Sequence, residues 1–162
     1  DNLIALLAKY KYKEILSASL VIGLMNMSRS AAAFFGQIWL SKIVNKHTFF
    51  WLLLGQFAGI ALWAVLEFNY WLSFAGMIAA GFFITTVWSY SFTQLQNHVD
   101  REFFGRVIAY NDMAYFIVAT LVSAAIGFFF ELGFSLSQIT FGMGFMFAIA
   151  AFYYKFLIYE KI

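Results

Sequence analysis

Cysteine and proline are both absent from this 162-residue chain, and charged residues make up only 11% of it. Without cysteine there are no disulfides and no thiolate metal ligands, and the redox compartment is left unmarked. Without proline, any bend in a long helix must come from glycine or from polar residues. The shortage of charge is the most restrictive of the three, because a soluble domain carries roughly 25% charged residues. A net charge of +2, spread over connecting segments, also gives no basic footprint for nucleic acid.

What is present is apolar surface: 64% of residues are hydrophobic and 22% aromatic. Too little polar surface remains to cover a water-soluble sphere. At roughly 25–30 residues for each helix and its connection, the chain has room for about five membrane spans. The fold class read from this is an all-α integral membrane bundle whose solvent is the lipid bilayer. With no organellar address, a bacterial inner membrane is the default location. The chain opens on Asp1, and no positively charged segment with a cleavage site precedes the first apolar run, so no signal peptide is read. A longer parent chain, trimmed at this end, is expected.

Residues 1–14 form a lead-in, half apolar and then basic through Lys9, Lys11 and Lys13. Its apolar part is too short to span a bilayer. It reads either as an interfacial amphipathic segment or as the trailing end of an upstream helix. The first full span is expected over 15–44, interrupted by Asn26, Ser28, Arg29 and Ser30. Splitting it there would leave two pieces of about a dozen residues, each too short for roughly 30 Å of hydrocarbon at 1.5 Å per residue. Ser30–Ala33 and Gly36 would let a neighbouring helix approach closely. Further spans are expected over 49–66, 71–93, 107–130 and 138–158. Trp51, Trp63, Tyr70 and Trp71 fall near proposed helix ends, where aromatic rings favour the headgroup level.

One stretch breaks the apolar pattern at length: Gln94–Asp112, where charged, amide and imidazole side chains gather between two spans. Asp100, Arg101, Glu102, Gly105, Arg106 and Val107 within it resemble the short cytoplasmic loop before the penultimate helix of major facilitator superfamily transporters, of the exporter-like branch. That resemblance implies that the five spans are helices eight to twelve of a twelve-helix transporter, and that the lead-in is the tail of helix seven. It also implies a missing N-terminal bundle as partner and a small-molecule substrate, here unknown. Asp100, Arg101, Glu102, Gly105 and Arg106 would form the inner-face hinge. After the first span, Gly36, Ser41, Lys42, Asn45 and Lys46 keep the basic character of the superfamily's gating loop but lack its acidic residue. No cofactor is implied.

If the hinge segment and the C-terminus are cytoplasmic, alternation places Lys42, Lys46, Arg101, Arg106, Lys155 and Lys161 inside, with Glu67 and Glu131 outside and no basic residue near them. Lys9, Lys11 and Lys13 run against this arrangement.

Arg29 is the sharpest candidate for function, since a charge at the bilayer centre costs at least about 2.5–3.5 kcal/mol on insertion scales. It is either a substrate or counter-ion contact, with Asn26 and Ser28 as neighbours, or a structural arginine paired with a buried carboxylate or carbonyls. Asp112, early in the fourth span beside Asn111, is either a site of proton coupling or an interfacial carboxylate favoured by the helix macrodipole. Gln37, Gln56, Thr85 and Thr86 line a polar cavity or bond between helices. Phe82, Phe83 and Phe128–Phe130 face lipid or an apolar pocket. His47 and His98 are expected in loops and lack the spacing of a metal pair. The sequence carries no Gly-x-Ser-x-Gly elbow, P-loop or His-Glu-x-x-His, so no enzymatic activity is expected.

Overall fold

The computed structural model describes residues 2–12 and 15–158. Helix α1 (Asn2–Leu6) continues as a π-helical turn, Leu7–Lys11. Five long helices follow: α2 (Ala18–Leu40), α3 (Lys46–Leu66), α4 (Tyr70–His98), α5 (Phe104–Glu131) and α6 (Leu136–Tyr153), the last extended by a π-helical turn over Tyr154–Ile158. Each of the five is long and apolar enough to cross a membrane. The protein is an all-α helical bundle, and its exposed apolar surface suits contact with lipid.

Local chemistry sets the helix ends. Asn45 opens α3 with a capping box: its Oδ1 accepts from the backbone N–H groups of His47 and Thr48 at 2.9 and 3.0 Å, and Thr48 Oγ1 accepts the Asn45 N–H at 2.8 Å. Asn69 caps α4 in the same sense, accepting from Trp71 N at 2.9 Å. Helix α5 stops at Gly133, the described residue with positive φ (+89°). There the Gly133 N–H bonds the Phe130 carbonyl, the Phe134 N–H bonds the Phe129 carbonyl, and the rings of Phe129 and Phe134 meet at 5.5 Å. This is the Schellman ending that favours glycine. Ser135 and Gln138 then cap α6 reciprocally.

Small residues fix the packing. Gly36 of α2 lies against the Phe82 carbonyl of α4, and a Cβ on Gly81 of α4 would stand 2.5 Å from the Arg29 carbonyl of α2. At the α3–α4 contact, a Cβ on Gly76 would stand 2.5 Å from Trp63 Cα. Backbones this close leave room for no side chain, and they bring α2, α3 and α4 together along their lengths. Helix α6 packs on α3, where Gly144 faces Ile60.

Two apolar clusters result. One, at the end where α3 turns into α4, joins Leu3, Ile4, Leu7, Ala8 and Tyr12 of the lead-in with residues of all five long helices. The other, at the opposite or hinge end, joins Leu40, Phe49, Leu52, Leu53, Val87, Ala151 and Tyr154. Helix α5 stands apart, with Ile126 its one buried side chain among the described residues.

Expected boundaries shift at both ends of α2 and on both sides of the hinge segment. Helix α2 begins at Ala18 and ends at Leu40, inside the expected 15–44. Helix α4 runs on through Gln94–His98, and α5 begins at Phe104, leaving a link of only Val99–Phe103 between them. A polar composition does not stop a helix that meets neither proline nor glycine, and the backbone turns extended only at Val99. Gly105 and Arg106 therefore belong to the first turn of α5 rather than to a loop. His98 ends α4, with its Nδ1 2.8 Å from the Gln94 carbonyl, and His47 sits in the first turn of α3.

Candidate functional site

Asn26, Arg29 and Gln37 of α2 share a face. Eleven positions separate Asn26 from Gln37, which returns a 3.6-residue helix to nearly the same direction, and Arg29 lies within the same sector. Arg29 is half-buried at the α2–α4 crossing, where its carbonyl meets Gly81. Ser28 bonds back to its own helix, Oγ to the Leu24 carbonyl at 2.8 Å. Its hydroxyl proton is thus committed to the backbone. Asn26 Oδ1 is buried and has no hydrogen-bond partner. Gln37 Oε1 accepts from Thr86 Oγ1 of α4 at 3.1 Å, an interhelical bond that ties the crossing together.

Gln56 does not join that face. It sits on the buried side of α3 with Leu52, Leu53 and Gly59, only 3% exposed, and its Oε1 lacks a partner. Asp112 lies on α5 in a shallow recess formed by side chains of that helix itself, Ala109, Met113 and Phe116 among them. The structure therefore gathers Asn26, Arg29 and Gln37, and leaves Gln56 and Asp112 elsewhere. At the hinge, Asp100, Arg101, Glu102, Gly105 and Arg106 are all exposed, and among the described residues they form no ion pair with one another.

The most elaborate polar cluster lies at the opposite end. Glu67, at the turn between α3 and α4, has no exposed surface, and its Oε1 receives Lys11 Nζ at 3.2 Å. Ser137 Oγ stands 3.0 Å from the same oxygen and 2.6 Å from the Ala64 carbonyl, so its single proton is shared between them. Thr140 Oγ1 reaches Glu67 Oε2 at 3.4 Å. Beside it, Trp63 Nε1 donates to Ser73 Oγ at 3.1 Å, and Tyr12 donates its phenolic proton to the Glu67 carbonyl. Burial pushes the Tyr12 phenol above its ordinary range of about 10, and the Glu67 and Tyr70 charges add to this against a hydrogen bond from Ser73. The Tyr70 hydroxyl is buried without a partner.

Glu67 thus contradicts the expectation of an outer carboxylate with no basic residue near it. The partner comes from the lead-in, 56 positions earlier in the chain. One signal pointed to it: three lysines stood on the side where positive charge was not expected, and a buried carboxylate requires a partner. The pairing itself joins segments too distant in sequence for spacing to reveal.

No protein-family model, curated protein or solved structure matches this chain.

Proposed function

We propose that the chain is one bundle of a secondary transporter of the major facilitator type, an efflux permease working by alternating access against a second bundle. The observation that carries this reading is α5. It is 28 residues long, apolar enough to cross a membrane, and buries only Ile126. A spanning helix with so little protein against it is suited to a moving contact with another bundle, as two-bundle transporters require. Asn26, Arg29 and Gln37, on α2 where it crosses α4, would meet the substrate or a counter-ion in such a cycle, and the exposed hinge residues lie at the end where the two bundles would rock. No bond is made or broken in such a cycle.

The absence of cysteine from this chain provides the test. In the intact gene product, with cysteines elsewhere replaced, a single cysteine at Thr120 on α5 is labelled in proteoliposomes with a membrane-impermeant maleimide. Transport predicts that labelling from one face falls and from the other rises when a transmembrane pH gradient is imposed. Labelling from one fixed face under both conditions assigns the chain instead to a static membrane module that anchors or assembles a partner.

A further inference from the structure

We propose that the Lys11–Glu67 pair is a clasp which fastens the lead-in across one end of the bundle and thereby fixes the pivot of α5. The inference holds whether or not the protein transports anything. It starts from what the lead-in touches. Leu3, Ile4, Leu7, Ala8 and Tyr12 are all at most 5% exposed and share a core with Val21, Met25, Trp63, Met77, Ile126 and Ile139. The lead-in is therefore a wedge in contact with each long helix rather than a loose terminus.

For α2, α3, α4 and α6 this contact is one among many. For α5, which meets little beyond α6 and the lead-in, it is a large share. Tyr10 meets Phe130 ring to ring at 5.2 Å, and Ile126 enters the lead-in's cluster. Towards its N-terminal end, the ring contact recorded between α5 and the bundle is Trp88–Tyr115 at 5.2 Å, and both rings are exposed. Ile126 stands 17 residues from Ala109, a lever of about 26 Å at 1.5 Å per residue. A rotation of about 5° at the lead-in displaces the far end by about 2 Å over that lever. The five residues 99–103 are the link that ties that end to α4.

What holds the wedge is unequal in its two halves. Glu67 has no exposed surface, whereas the Lys11 side chain is one-third exposed. The lysine can re-enter water readily, whereas opening would leave the carboxylate buried without a cationic partner. Ser137 and Thr140 donate to Glu67 without carrying a compensating charge. Lys11 supplies it. Tyr12, bonded to the Glu67 carbonyl, sits next to the lysine and closes with it.

The test uses the intact gene product in nanodiscs, with nitroxide labels on cysteines introduced at Ser91 of α4 and Ala109 of α5. Hydrogen exchange of residues 2–12 reports the wedge and the label distance reports the pivot. Lys11→Met is expected to raise exchange about tenfold, the scale of a local opening, and to broaden the Ser91–Ala109 distance distribution. Lys11→Arg is expected to keep both as in the parent. Should Lys11→Met fail to fold, the double variant Lys11→Met/Glu67→Gln, which leaves no buried charge, is expected to show the same two changes. Parent-like exchange in the double variant overturns the clasp. Raised exchange with an unchanged distance overturns its hold on α5.

Discussion

Glu67 buries a full carboxylate whose one charged neighbour among the described residues is Lys11, and substitutions of the two should differ in cost. Lys11→Ala leaves an uncompensated buried charge and is expected to lower stability by about 1–3 kcal/mol. Glu67→Gln keeps an acceptor for Ser137 and should cost less than about 1 kcal/mol. Thermal unfolding in detergent separates the two, and equal losses would show that the lysine does not hold the carboxylate. Tyr12 adds a pH dependence. Its phenol titrates higher in the folded chain than the ordinary 10.0, so above about pH 10 the unfolded state releases the proton first and stability falls. Below that pH both states keep the proton and no effect is expected. Tyr12→Phe should flatten the alkaline loss in a pH series of melting temperatures, while removing the bond to the Glu67 carbonyl. For Arg29, a transport assay of the full-length Arg29→Ala variant is expected to show altered rate or affinity. Unchanged values would give Arg29 a packing role. Arg29, Asn26 and Gln37 were legible because polar groups inside apolar runs mark themselves by their cost. The Glu67 cluster was not, since its partners lie 56, 70 and 73 positions away and only folding brings them together.

At the scale of the helix, the most legible features are those encoded within a few residues. Asn45, Asn69 and Ser135 each cap the helix that follows within three residues, a local signal that the expected start of the second span at 49 left unused. Gly133 follows α5 where the chain must take a positive φ, and Gly133→Ala is expected to destabilise by about 1 kcal/mol, read as a lower melting temperature. The approach of a neighbour near Gly36 was also readable from small residues, though not which helix would arrive. It is α4, and the fit is close enough that Gly36→Ala should cost about 1–3 kcal/mol by forcing the backbones apart. A loss of that size should appear together with weaker cross-linking between cysteines introduced at Ala33 and Thr85. The far end of α4 was misread because polarity was taken as a helix stop. A polar turn facing water stays helical when no residue in it opposes the conformation.

For the whole molecule, the number and class of the helices followed from length and apolar content, whereas the arrangement of α5 did not. An apolar side chain satisfies lipid and protein interior alike, so a uniformly apolar helix carries no sign of which it will face. The same ambivalence bears on how the protein is made. Helix α5 buries one side chain, ends in a turn whose hydrogen bonds are all local, and is followed by a self-capped α6. Helix α5 can therefore reside in the bilayer before it docks on the other helices, whereas α6 is held to α3 and, through Ser137 and Thr140, to Glu67. Assembly of the bundle then separates insertion of α5 from closure of the remaining helices around the lead-in, and Lys11→Ala, which leaves Glu67 without its cation, should impair the second while leaving the first intact.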